Sequence, residues 1–210
     1  VAPDHDTMVA ADPSNPRFSL SLGDFSCQLP SLVTVDPDLL IVPVQDGEIR
    51  GYNMSDFIAS GNSDDIVQAF GVTITTGYTI DSPIAMIKMN RHQTDLNLLV
   101  FAEGRTSSSG NTDFTRIRSF EVHPSDASTE TTYGNVWTYP DDDGGIGEVS
   151  GGMAVSDDGY IYFGSSQRVT GETGSGSDML HCVDAKNGEA VWTKAFNYPV
   201  DTAPLWYEDV

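Results

Sequence analysis

The chain has 210 residues, 39 % of them apolar, and 31 acidic against 10 basic residues give it a net charge of −21. A surface of that sign repels phosphate backbones and anionic lipid, which speaks against nucleic-acid or membrane-surface binding. No apolar run approaches the roughly 20 residues that span a bilayer, and two cysteines, Cys27 and Cys182, are too few for a disulfide scaffold.

The chain opens Val-Ala-Pro-Asp without Met, as a processed chain or an internal piece of a longer one does. Short β-prone segments then recur in a fixed order. Gln28-Leu-Pro-Ser-Leu32 starts a strand, and Leu39-Leu-Ile-Val-Pro-Val44 follows, ending at the turn signal Asp46-Gly47. Glu48 to Asn53 reads as a third strand and Ile66 to Phe70 as a fourth, with one helical turn at Ser55 to Ala59 between them. The series repeats as Asp81 to Ala85, Leu96 to Ala102, Arg116 to Val122 and Asn135 to Tyr139. It repeats again as Ser150 to Ala154, Gly159 to Gln167, Met179 to Asp184 and Ala190 to Lys194. Thr202-Ala-Pro-Leu-Trp206 matches the start of yet another series. First strands recur at intervals of about 50 to 70 residues.

Four antiparallel strands per repeat is the signature of a propeller blade. The reading is therefore all-β: a partial β-propeller forming one arc over residues 1–210. It has about three full blades, near 28–71, 81–140 and 149–196, and part-blades at both ends. The stretch Ala10-Ala-Asp12-Pro-Ser-Asn-Pro16-Arg-Phe-Ser-Leu20 reads as a degenerate half blade before the first. A sandwich of many strands is the competing architecture, but it does not require the same four steps to recur.

Cys182-Val-Asp184-Ala-Lys-Asn-Gly188-Glu-Ala-Val-Trp192 is the best-preserved copy of the turn between a third and a fourth strand. Asp bonds its own turn backbone, Gly tolerates positive φ, and Trp supplies a large buried surface with one donor. The pattern resembles the repeat of pyrroloquinoline-quinone dehydrogenases and of quinoprotein-like propellers that bind no quinone. The resemblance implies that the Trp sits between adjacent blades and that an arc of this size is part of a larger ring. The second repeat keeps Trp137 but has His123 in the Asp position, and the first has Asn53 and Phe70 around a longer loop. A quinone enzyme of that family also carries an adjacent Cys-Cys pair, which this sequence lacks.

Asp141, Asp142 and Asp143, followed by two glycines and Glu148, form the metal candidate. Clustered carboxylates on a flexible loop suit a hard cation such as Ca²⁺, although a solvated acidic turn has the same composition. Asn53-Met-Ser55 is a glycosylation sequon. Cys182 falls at a small inward position, the place of a buried hydrophobe, and Cys27, about three blades away, is poorly placed to pair with it within a rigid arc, which leaves a cysteine elsewhere in a longer chain as its other partner. The four histidines show no ligand spacing. Two long polar loops, 105–113 and 167–178, and the acidic stretch 141–148 belong on one end of the propeller.

The expectation is a non-catalytic, extracytoplasmic scaffold that binds protein partners, or self-associates to complete its propeller. A fragment of a quinone- and calcium-dependent oxidoreductase is the first alternative. A calcium-assisted, glycosylated extracellular structural protein is the second.

Overall fold

The computed structural model describes residues 31–33, 38–44, 48–61, 66–74, 78–80, 82–91, 94–106, 112–122, 135–141, 146–149, 151–166 and 178–205. The degenerate half blade expected near residues 10–20 and Cys27 lie outside them. Three antiparallel sheets follow one another along the chain. The first runs β1 (Ser31–Val33), β2 (Leu39–Val44), β3 (Glu48–Asn53) and β4 (Val67–Thr73), with a short helix α1 (Ser55–Ser60) between its last two strands. The second contains β5 (Thr79–Ile80), β6 (Ala85–Arg91), β7 (Thr94–Thr106), β8 (Thr112–Val122) and β9 (Asn135–Tyr139). The third runs β10 (Ala154–Val155), β11 (Tyr160–Ser165), β12 (Asp178–Asp184) and β13 (Ala190–Phe196).

The second sheet has five strands rather than four. β5 and β6 lie in succession along one edge of β7, pairing at Glu103–Gly104 and at Thr94–Val100. Pro83 separates them, and proline cannot donate to a ladder. The buried Ser82 hydroxyl fills the gap by accepting the Ala102 N–H at 3.2 Å. The pair is one first strand, interrupted.

Alternation along the strands shows how the sheets stack. Leu99 and Phe101 of β7 join Leu39, Ile41, Ile49, Phe70 and Val72 of the first sheet in one buried cluster. Leu98, Val100 and Ala102, the intervening residues, join Ile161, Phe163 and Val183 of the third sheet in another. Side chains of a strand point to opposite faces in turn, so the second sheet is sandwiched between its sequence neighbours. Consecutive four-stranded meanders packed face to face in chain order are blades, and the molecule is a partial β-propeller that does not close. The face of the first sheet away from the second holds Val42, Tyr52 and Met54, with Phe57 of α1 packed against them.

All three blades share a register irregularity between their third and fourth strands. The ladder shifts between Gly51 and Tyr52, between Ser119 and Phe120, and between Cys182 and Val183. At each shift an aromatic ring of the fourth strand faces a small residue of the third: Phe70 opposite Gly51, Trp137 opposite Ser119, Trp192 opposite Cys182. A bulge twists the strand and re-aims its side chains. The repeat is therefore structural even where the sequence motif has decayed.

Candidate functional site

The junction of the second and third blades brings together several polar and aromatic groups. The turn after β12 is built as its sequence suggests. Asp184 accepts the Lys186 N–H on its Oδ1 at 2.8 Å, and its backbone carbonyl accepts the Gly188 N–H at 2.8 Å. Gly188 has φ +74°, a left-handed conformation open to glycine. Trp137 of the second blade lies on that turn. Its indole N–H donates to the Ala185 carbonyl at 2.8 Å. A Cβ added to Gly188 would come within 2.7 Å of the Trp137 ring. The glycine therefore does two jobs, allowing the turn and leaving room for the indole.

Beside this lock sits a trio of two buried residues, Ser165 and His181, and the half-buried Tyr139. His181 places Nε2 2.8 Å from the Ser165 hydroxyl and Nδ1 3.1 Å from the Tyr139 hydroxyl. Its ring stacks on Phe163 with centroids 4.8 Å apart. Burial disfavours the imidazolium and lowers the His181 pKa from 6.5 to about 4. Burial likewise raises the Tyr139 phenol. A neutral imidazole has one donor and one acceptor, and hydroxyls fill either role. Ser165 and His181 are 1 % and 2 % exposed, so the Ser–His contact between neighbouring strands of the third blade faces no solvent, and the His181–Tyr139 contact is the one that crosses to the second blade. Spacing gave no hint of it, because Tyr139 and His181 are 42 residues apart in sequence.

A second polar cluster lies within the second blade, between strands β7 and β8. Fully buried Glu103 accepts from Arg116 Nε at 2.6 Å and from Arg118 Nη1 at 3.3 Å. Arg116 stacks over Tyr78 and Arg118 over Phe120, each 4.6 Å from the ring centre.

The end of the propeller where the long polar loops were expected is tied together by backbone. Ile146 donates to the Thr115 carbonyl at 3.0 Å, and Glu148 and Ser166 exchange two bonds at 2.7 and 2.8 Å. The segment 146–148 thus straps the base of one loop to the base of the next. The opposite end carries a cleft of about 460 Å³ lined by Met86, Lys88, Ser156, Asp157, Asp158 and Lys186 among others. Asp157 and Asp158 sit in the Val155–Gly159 turn, closed by Gly159 at φ +84°.

Of the metal candidates, Asp141 is exposed and Glu148 half-buried on the strap, while Asp142 and Asp143 lie outside the described residues. Among the described residues no three His, Cys, Asp or Glu side chains group as a metal site. Asn53 is half-buried, and its Oδ1 accepts the Ser55 N–H at 2.9 Å, which fixes the entry to α1. Cys182 is buried and its thiol is pushed up, first by that burial. Trp192 differs from Trp137: it is 42 % exposed and lies beside Tyr162 with centroids 6.0 Å apart. No helix among the described residues is long and apolar enough to cross a membrane.

No protein-family model and no curated protein matches the chain. Among solved structures it is similar to a quinohemoprotein alcohol dehydrogenase from Pseudomonas putida, at 15 % identity and a TM-score of 0.47. The match covers 78 % of this chain and 26 % of that one, so the chain spans about a quarter of the dehydrogenase's length.

Proposed function

We propose that the chain is a non-catalytic, quinoprotein-like propeller scaffold of an extracytoplasmic compartment, which presents the loop end of its blades to a protein partner. The observation that carries this reading is the strap. Bonds from Ile146 to Thr115 and between Glu148 and Ser166 hold the bases of two polar loops in fixed relation. Loops placed by a rigid scaffold are where binding residues concentrate. The groups that resemble catalytic machinery support it too. His181 is held between Ser165 of its own blade and Tyr139 of the preceding one, and Glu103 is paired with Arg116 and Arg118 inside the second blade.

The test is cross-linking followed by mass spectrometry on the intact chain and on a variant lacking residues 169–177. A partner cross-linked to the intact chain and lost from the variant, with melting unchanged, is the expected result. Equal cross-linking of both chains counts against the platform. Dye-linked oxidation of a primary alcohol by the chain, given pyrroloquinoline quinone and Ca²⁺, overturns the non-catalytic reading.

A further inference from the structure

We infer that the cleft at the end of the arc opposite the polar loops binds a small zwitterion with an apolar body, an amino acid or short peptide with a free ammonium and a free carboxylate. This goes beyond the loop platform, which lies at the other end of the blades, and neither reading depends on the other.

Three observations carry it. The first is the rigidity of one wall. In the turn between β10 and β11 the Gly159 N–H donates to the Ser156 carbonyl at 2.9 Å, and the Ser156 hydroxyl accepts the Tyr160 N–H at 3.1 Å. The Ala185 N–H donates to the Gly159 carbonyl at 2.9 Å, which ties this turn to the Asp184–Gly188 turn that Trp137 already holds from the second blade. Asp157, Asp158 and Lys186 therefore stand on two turns fixed to each other, and groups held in place before binding lose less freedom on binding. The second is the charge of the lining. Lys88 reaches the cleft from β6 of the second blade and Lys186 from the third, and they are two of the chain's three lysines. Asp157 and Asp158 line the same cleft. Among the described residues the Lys186 ammonium and the Asp157 and Asp158 carboxylates enter no ion pair. The third is the apolar share of the lining. Half-buried Met86 and Val155 border the cleft, whose volume of about 460 Å³ falls in the range of roughly 300–1,000 Å³ typical of small-molecule sites.

The ligand's chemistry follows from this lining. An anion alone would meet the carboxylates of Asp157 and Asp158, and a cation alone the ammonium groups of Lys88 and Lys186. A neutral apolar molecule would take water from charged side chains and give them no partner, which costs free energy. A zwitterion serves both signs at once: its carboxylate pairs with the lysines, its ammonium with the aspartates, and its apolar side chain covers Met86 and Val155.

The test is calorimetric titration of the full chain with the dipeptide leucylleucine, with its N-acetyl form and with its C-terminal amide. Leucylleucine should bind several-fold more tightly than either blocked form. Lys88→Gln combined with Lys186→Gln should remove the preference over the amide and keep the preference over the N-acetyl form. Asp157→Asn combined with Asp158→Asn should do the reverse. All of these side chains are exposed, so both variants should melt with the wild type. Equal binding of the three compounds overturns the inference, because an apolar groove then accounts for it. So does the absence of binding by all three at millimolar concentration. Preferences left unchanged in both variants, or a variant that weakens all three compounds alike, overturn it too, since the charged side chains then do not read the ends of the ligand.

Discussion

At Gly188 the backbone and a neighbouring blade make the same demand. Positive φ disfavours any Cβ, and the Trp137 ring leaves no space for one. Gly188→Ala therefore combines strain with overpacking, and we expect a loss of about 2–4 kcal/mol in chemical denaturation. Gly51 is constrained by packing alone, since an added Cβ would fall within the Phe70 ring. Gly51→Ala should be strongly destabilising by itself and partly rescued by Phe70→Leu, a coupling that a double-mutant cycle measures. His181 gives the pH prediction. Above pH 6.5 the ring is neutral folded and unfolded, and it contributes no pH dependence. As pH falls, the unfolded ring protonates first, because the folded pKa is about 4 against an ordinary 6.5. Stability is lost through that window, by about 3 kcal/mol at pH 4. Titrating carboxylates add their own slope to both proteins, so the measurement is the stability of the wild type minus that of His181→Gln, which should fall as pH drops from 6.5 to 4.

At the scale of elements, the strand series was legible because alternation, turn residues and spacing all act locally. The turn from Asp184 to Gly188 was legible for the same reason: Asp bonds two residues on and Gly turns the chain. The interrupted first strand of the second blade was not. Pro83 marks a break, but only the tertiary bond from Ala102 to Ser82 shows that β5 and β6 continue one another. The bulge register was hidden too, since the sequence pairing of Phe70 with the two tryptophans carries no sign that the ladder shifts at each of them. The Tyr139–His181 contact crosses between blades and the Glu103 cluster between distant strands of one blade, which no local pattern encodes. Glu103 illustrates the energetic weight of such contacts. Glu103→Gln removes a fully buried carboxylate facing two guanidinium groups, and about 3 kcal/mol of destabilisation is expected from leaving them uncompensated. Thermal melting of that variant against Arg118→Lys, which keeps the charge, separates charge from shape.

For the whole molecule, the two tryptophans of the repeat should behave unequally. Trp137→Ala removes a ring buried between blades and should cost about 3–5 kcal/mol. Trp192→Ala removes a half-exposed ring from an open face and should change stability by less than about 1 kcal/mol. Equal losses would mean that Trp192 is already covered.

β7 serves both interior clusters, with Leu99 and Phe101 on one side and Leu98, Val100 and Ala102 on the other. It is the party wall of the arc, a role shared with β8, whose Phe120 and Val122 face one cluster and Ile117 the other. Stability in such a stack is a sum of nearest-neighbour terms, so opening should run inward from whichever blade has a bare flank. Amide hydrogen exchange would display this as a gradient: slowest along β7, faster through β11 and β12, and fastest in β13, whose seven residues are all exposed. A propeller arc of this kind unravels as a deck is dealt, one card at a time from the uncovered side.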